Sequence, residues 1–95
     1  MSYFYLSFCD ANRPRGSQFL GASIVPGGDT GDEKYDLAIA IREAWARGCN
    51  PGGEVAFRRV PEGVAAHIAP RWIGRLLTRA EAEEFGREIA PHGVS

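Results

Sequence analysis

Cys9, Cys49, His67, His92 and twelve carboxylates are the groups in this chain that could bind a metal or do acid–base or nucleophilic work. Their spacing assigns them to none of these tasks. Zinc sites draw ligands in close pairs, because one turn then presents two of them at tetrahedral geometry; here the nearest thiol and imidazole, Cys49 and His67, stand 18 positions apart. A Cys49–His67 nucleophile and base would need tertiary contact, and Cys49 follows a predicted helix C-terminus, whose negative dipole end disfavours a thiolate. Ser23, in Gly21-Ala22-Ser23-Ile24-Val25, lacks the second glycine of a nucleophile elbow. The glycine-rich run Gly27 to Lys34 precedes a predicted helix, where phosphate loops sit. It lacks their G-x-x-x-x-G-K-[ST] spacing, and Asp29, Asp32 and Glu33 would repel a phosphate. The same carboxylates do not have the spacing of a calcium loop. With no convergent acid, base and nucleophile, the sequence points to a protein that is not an enzyme and needs no cofactor or metal.

The remaining chemistry suits recognition. Tyr3, Tyr5 and Phe19, with Arg58 or Arg59 on a third strand, are placed to build an open sheet face of aromatic and basic side chains. Arg71, Arg75 and Arg79 recur every four residues beside Trp72, a secondary basic patch diluted by Glu81, Glu83, Glu84 and Glu88. Tyrosine, tryptophan and arginine dominate contact energies between proteins, so a protein partner is the expected ligand of Tyr3, Tyr5, Phe19, Arg58 and Arg59, with Arg71 and Arg75 in support. A single-stranded nucleic acid stacked on the same rings is the alternative. A formal net charge of −1 and the absence of an RNP-like run disfavour it. An enzyme built around Cys49 or His67 ranks third. The chain is expected as a monomer or a homodimer, since an uncovered sheet face or edge strand can pair with its copy.

The elements that must position these groups follow from patterning. Ninety-five residues, 44% apolar and 24% charged, suit one small domain over residues 1–95. No apolar run is long enough for a membrane span, and no signal-peptide pattern opens the chain, so a cytoplasmic protein with reduced, partly buried Cys9 and Cys49 is expected. Tyr3 to Cys9 alternates as a strand, with Phe4, Leu6 and Phe8 on one side and Tyr3, Tyr5 and Ser7 on the other. Gln18 to Val25 makes a second strand across a loop rich in Asn, Pro and Gly. Thr30 and Glu33 have capping-box spacing before a helix that sets Leu37, Ile41, Ala44, Trp45 and Gly48 on one face. Gly48 closes that helix, and Asn50-Pro51-Gly52-Gly53 turns the chain and pins Trp45 against the sheet. Glu54 to Val60 is a third strand, Val64 to Pro70 is irregular, and Pro70 opens a short helix through Leu77. Thr78 and Glu81 begin a last helix carrying Ala82, Phe85 and Ile89, ended by Pro91-His92-Gly93 before a frayed end. The expected fold is α+β: a three-stranded, mainly antiparallel sheet in the order β-β-α-β-α, helices packed on one face and the tyrosine face open.

Several runs together resemble a known type: Tyr5-Leu6-Ser7-Phe8, Ser17-Gln18-Phe19-Leu20-Gly21-Ala22, Ala44-Trp45, Asn50-Pro51-Gly52-Gly53-Glu54-Val55 and Arg75-Leu76-Leu77-Thr78. With them the chain resembles short uncharacterised proteins encoded by phages and mobile elements of GC-rich bacteria. That resemblance carries no assigned activity or catalytic residue. It implies a small binding protein that inhibits or modulates a host protein, such as a component of a bacterial defence system.

Overall fold

Side-chain alternation in the first strand decides how the chain is layered. The structure, a computed structural model, describes residues 2–92; residues 93–95, expected to fray, lie outside the described residues. Strand β1 (Tyr3–Cys9) buries Phe4, Leu6 and Phe8 on one face and leaves Tyr3, Tyr5 and Ser7 half-buried on the other. Strands β2 (Phe19–Pro26) and β3 (Glu54–Arg59) pair with it antiparallel on either side, giving the order β2-β1-β3. Helix α1 (Glu33–Ala46) connects β2 to β3, and the short α2 (Glu62–Ala65) and the longer α3 (Arg79–Ile89) follow. The fold is therefore α+β with the expected β-β-α-β-α order.

The helices do not share one face. One apolar cluster joins Phe4, Leu6, Phe8 and Val25 to Ala40 and Ala44 of α1 and to Cys49. A second, on the opposite face, joins Ala22 and Ile24 of β2 to Val60, Val64, Ile68, Trp72, Leu77 and Phe85, with Tyr3, Tyr5 and Phe19 packed against it. The tyrosine face expected to be open is thus covered by the C-terminal third of the chain. A tyrosine ring is a large apolar body with one polar tip, and it joins a core while its hydroxyl reaches the rim.

Three local expectations change for identifiable reasons. The N-cap of α1 is Asp32, which accepts from the amides of Lys34 and Tyr35; Thr30 instead turns its hydroxyl to Asp36. Trp45 is not pinned against the sheet but is 62% exposed. The buried stripe of α1 is Asp36, Ala40 and Ala44, small residues that let the helix lie close, and this rotates Trp45 outward. Between Pro70 and Leu77 only Pro70–Trp72 is helical, as a 3-10 turn. Residues 73–77 run beside β2, where Ala22 and Leu77 exchange both backbone hydrogen bonds and Gly74 N–H donates to the Ile24 carbonyl. Elsewhere the punctuation is as expected: Gly48 closes α1 at φ 73°, and Thr78 and Glu81 form the full capping box of α3.

Asp36 organises the region where β2, α1 and β3 meet. Its side chain is fully buried and accepts from Thr30 N–H at 3.0 Å, Thr30 Oγ1 at 2.7 Å, Gly31 N–H at 3.2 Å and Arg59 at 2.9 Å. Gly28 leaves room for it, because a Cβ there would stand 2.4 Å from Asp36 Oδ1. Burial alone would raise the carboxyl, but the hydrogen bonds of Thr30, Arg59 and Gly31 outweigh it and hold Asp36 at about 2, below its ordinary 3.8. The folded state then binds this proton less readily than the unfolded state, so the stabilisation is complete above the ordinary value and fades as pH falls toward 2. In urea titrations the midpoint should drop between about pH 4 and pH 2. Asp36→Asn should flatten that drop and lower the melting temperature at neutral pH by on the order of 10 °C. At the start of β3, Gly52 and Gly53 have φ of 90° and 80°; a Cβ on Gly52 meets nothing, whereas one on Gly53 stands 2.5 Å from the Cys9 carbonyl oxygen. Gly53→Ala should cost roughly 1–3 kcal/mol in chemical denaturation, clearly more than Gly52→Ala.

Candidate functional site

Of the residues that could recognise a partner, those on the tyrosine face are shared between core and surface by their cross-strand neighbours. Tyr5 pairs with Ile24 on one side and Arg58 on the other, and Ser7 pairs with Ala22 and Ala56. Helix α3 and the 73–77 segment cover the β2 side. Along β3 the cover stops, and Ala56 and Arg58 remain exposed. The result is a groove of about 730 Å³ between α3 and the β1–β3 edge. Its floor is Tyr5, Ser7, Ala56 and Arg58, and its α3 wall is Ala82, Phe85, Gly86 and Ile89, one stripe at helical spacing. Val60, Pro61 and Val64 close one end.

Arg58 is the one charged side chain in this lining, and it makes no hydrogen bond or ion pair among the described residues. Beside it the Tyr5 ring stacks on Phe85, with centroids 6.2 Å apart and planes at 8°. Burial pushes the Tyr5 phenol above its usual value, while the nearby Arg58 guanidinium pulls it back in part. A hydroxyl held neutral and a guanidinium with no partner among the described residues thus stand side by side on the floor of an apolar trough. That arrangement can fix the orientation of an apolar ligand carrying one acidic group.

The structure separates the other proposed contact residues. Tyr3 and Phe19 share the face of Tyr5 but pack against the second core cluster, and Arg79 lies over the Phe19 ring at 5.3 Å. Arg59 alternates to the α1 face, where it bonds Asp36 and lies 4.7 Å over the Phe4 ring. Arg71 sits over the Trp72 ring and pairs with Glu84 and Glu88, and Arg75 pairs with Glu81. These last two arginines tie α3 to the 70–77 segment rather than presenting free charge. The amide of Thr78 and then Arg75 hold Glu81 below the usual carboxylate range. Cys9 and Cys49 are free thiols. Cys49 is buried in the α1-side cluster and His67 is exposed next to Ile68 of the other, so no dyad forms. Among the described residues no three of His, Cys, Asp and Glu gather as a metal site, and no helix is long and apolar enough to cross a membrane.

Gly86 also lines the groove, though its residue type gives no recognition signal in the sequence. It lies inside α3, where glycine costs about 1 kcal/mol relative to alanine, and needs no positive φ. A Cβ there would meet nothing within 4 Å, so its missing side chain widens the groove rather than relieving a clash. Its position, inside a well-capped helix, is the available signal. Comparison with protein families, curated proteins and solved structures finds no match for this chain. Gly86→Ala should raise stability by roughly 0.5–1 kcal/mol in thermal or urea unfolding, because it adds helix propensity without crowding.

Proposed function

We propose that the protein is a small non-catalytic binding module of the cytoplasm that captures a protein partner in the groove between α3 and β3. The observation that carries this is the pairing of an apolar trough with one cation, Arg58, that has no hydrogen-bond or ion-pair partner among the described residues. Its ligand is a short segment that offers apolar side chains to Phe85 and Ile89 and a carboxylate to Arg58. The resemblance to short phage and mobile-element proteins supports a host protein as the target, with inhibition or modulation of a defence component as the outcome. A single-stranded nucleic acid is less well supported, because the Tyr5 ring stacks on Phe85 and the arginines at 71 and 75 are matched by glutamates.

A photo-crosslinking residue at Ala90, at the exposed rim of the groove, should trap a discrete protein from the native host. The same residue at Ala38, on the outer face of α1, should not. Gly86→Leu fills the trough while keeping the helix, and should abolish the Ala90 adduct. Equal adducts from both positions, or an adduct that survives Gly86→Leu, would overturn the proposal.

A further inference from the structure

We infer that the free edge of β3 is a self-pairing surface, joining two copies of the chain into one six-stranded antiparallel sheet. This goes beyond the groove and does not depend on what occupies it. The two edges of the sheet are unequal. The outer side of β2 is closed by residues 73–77, through the backbone bonds of Ala22 with Leu77 and of Ile24 with Gly74. Among the described residues no strand or bridge pairs with the outer side of β3. Val60 N–H donates to the Tyr3 carbonyl, so by alternation Arg58 and Ala56 also turn their backbone groups to β1. Val55, Phe57 and Arg59 therefore turn theirs outward, a row of donors and acceptors without a strand partner among the described residues.

The order of side chains on that edge commits it to a copy of itself. Antiparallel pairing about a twofold axis at Ala56 sets Glu54 opposite Arg58 of the second copy, twice, and Val55 opposite Phe57, twice. Glu54, Ala56 and Arg58 lie on the groove face and Val55 and Phe57 on the α1 face, so each pair meets on one side of the extended sheet. Centring instead on Phe57 sets Arg58 against Ala56, and centring on Arg58 sets like charges together. The Ala56 register alone opposes unlike charges. It also gives Arg58 a carboxylate and covers Phe57, which is 39% exposed. Arg59 does not oppose the pairing, because its charge is already met by Asp36. A guanidinium has five N–H donors, enough for Glu54 of the copy and a ligand carboxylate together.

Sedimentation velocity over a concentration series tests this with a charge exchange. The native protein should dimerise with rising concentration. Glu54→Arg and Arg58→Glu, each placing like charges opposite one another, should weaken the dimer by on the order of tenfold or more. The double exchange should restore it, and circular dichroism should report an unchanged fold in all three variants. A native protein that stays monomeric throughout, single exchanges without effect, or a double exchange no better than the singles would overturn the proposal. The Ala90 adduct probes the groove separately, so either proposal can fail alone.

Discussion

A buried carboxylate governs the arrangement of this molecule. Asp36 lies on the inner face of α1, away from water, and is satisfied by two amides, one hydroxyl and one guanidinium. Such a group is destabilising unless every partner is in place, so it demands a single geometry. The loop before α1 must wrap around it, β3 must lie where Arg59 can reach it, and α1 must dock on Phe4, Leu6 and Phe8. Two adjacent arginines acquire opposite fates from this. Arg59 is drawn into the core boundary, and Arg58, one residue away on the other face, is left facing the groove.

The order of elements was legible because it depends on local rules. Alternation in β1, the glycine stop at Gly48, the Asn-Pro-Gly-Gly turn and the Thr78–Glu81 box each need only neighbouring residues. What was not legible depended on long-range partners. Thr30 has capping-box spacing, yet it serves Asp36, and Asp32 takes the cap. Trp45 fits an apolar stripe, but a helix lying on alanines turns it outward, and it is 62% exposed. The segment after Trp72 has no strand pattern and becomes ordered by the exposed edge of β2. The tyrosine face read as polar because tyrosine is ambiguous: only the position of α3 decides whether the ring or the hydroxyl is presented.

The same asymmetry shapes the candidate site. The C-terminal third of the chain covers β2 and half of β1, and the 73–77 segment closes the β2 edge. Cover ends before β3, and this leaves a trough, a cation and a strand edge in one place. Gly86 widens the trough at a cost in helix propensity, which fits a surface shaped for contact more than one shaped for stability. Most of the residues that the sequence offered as partner contacts, Tyr3, Phe19, Arg59, Arg71 and Arg75, are held by neighbours within the chain. Arg58 is the exception, with Tyr5 half in the core beside it.

The central claim is that Asp36 and Arg59 hold β3 as a strand paired on one side only. Residue-resolved amide hydrogen exchange in dilute solution tests this most directly. The amides of Ala56, Arg58 and Val60, which face β1, should be protected, while those of Val55, Phe57 and Arg59 exchange rapidly. Ala22, at the closed edge, should be protected as well. Uniform protection along β3 in the dilute monomer, or exchange at Ala22 as fast as at Phe57, would contradict the account.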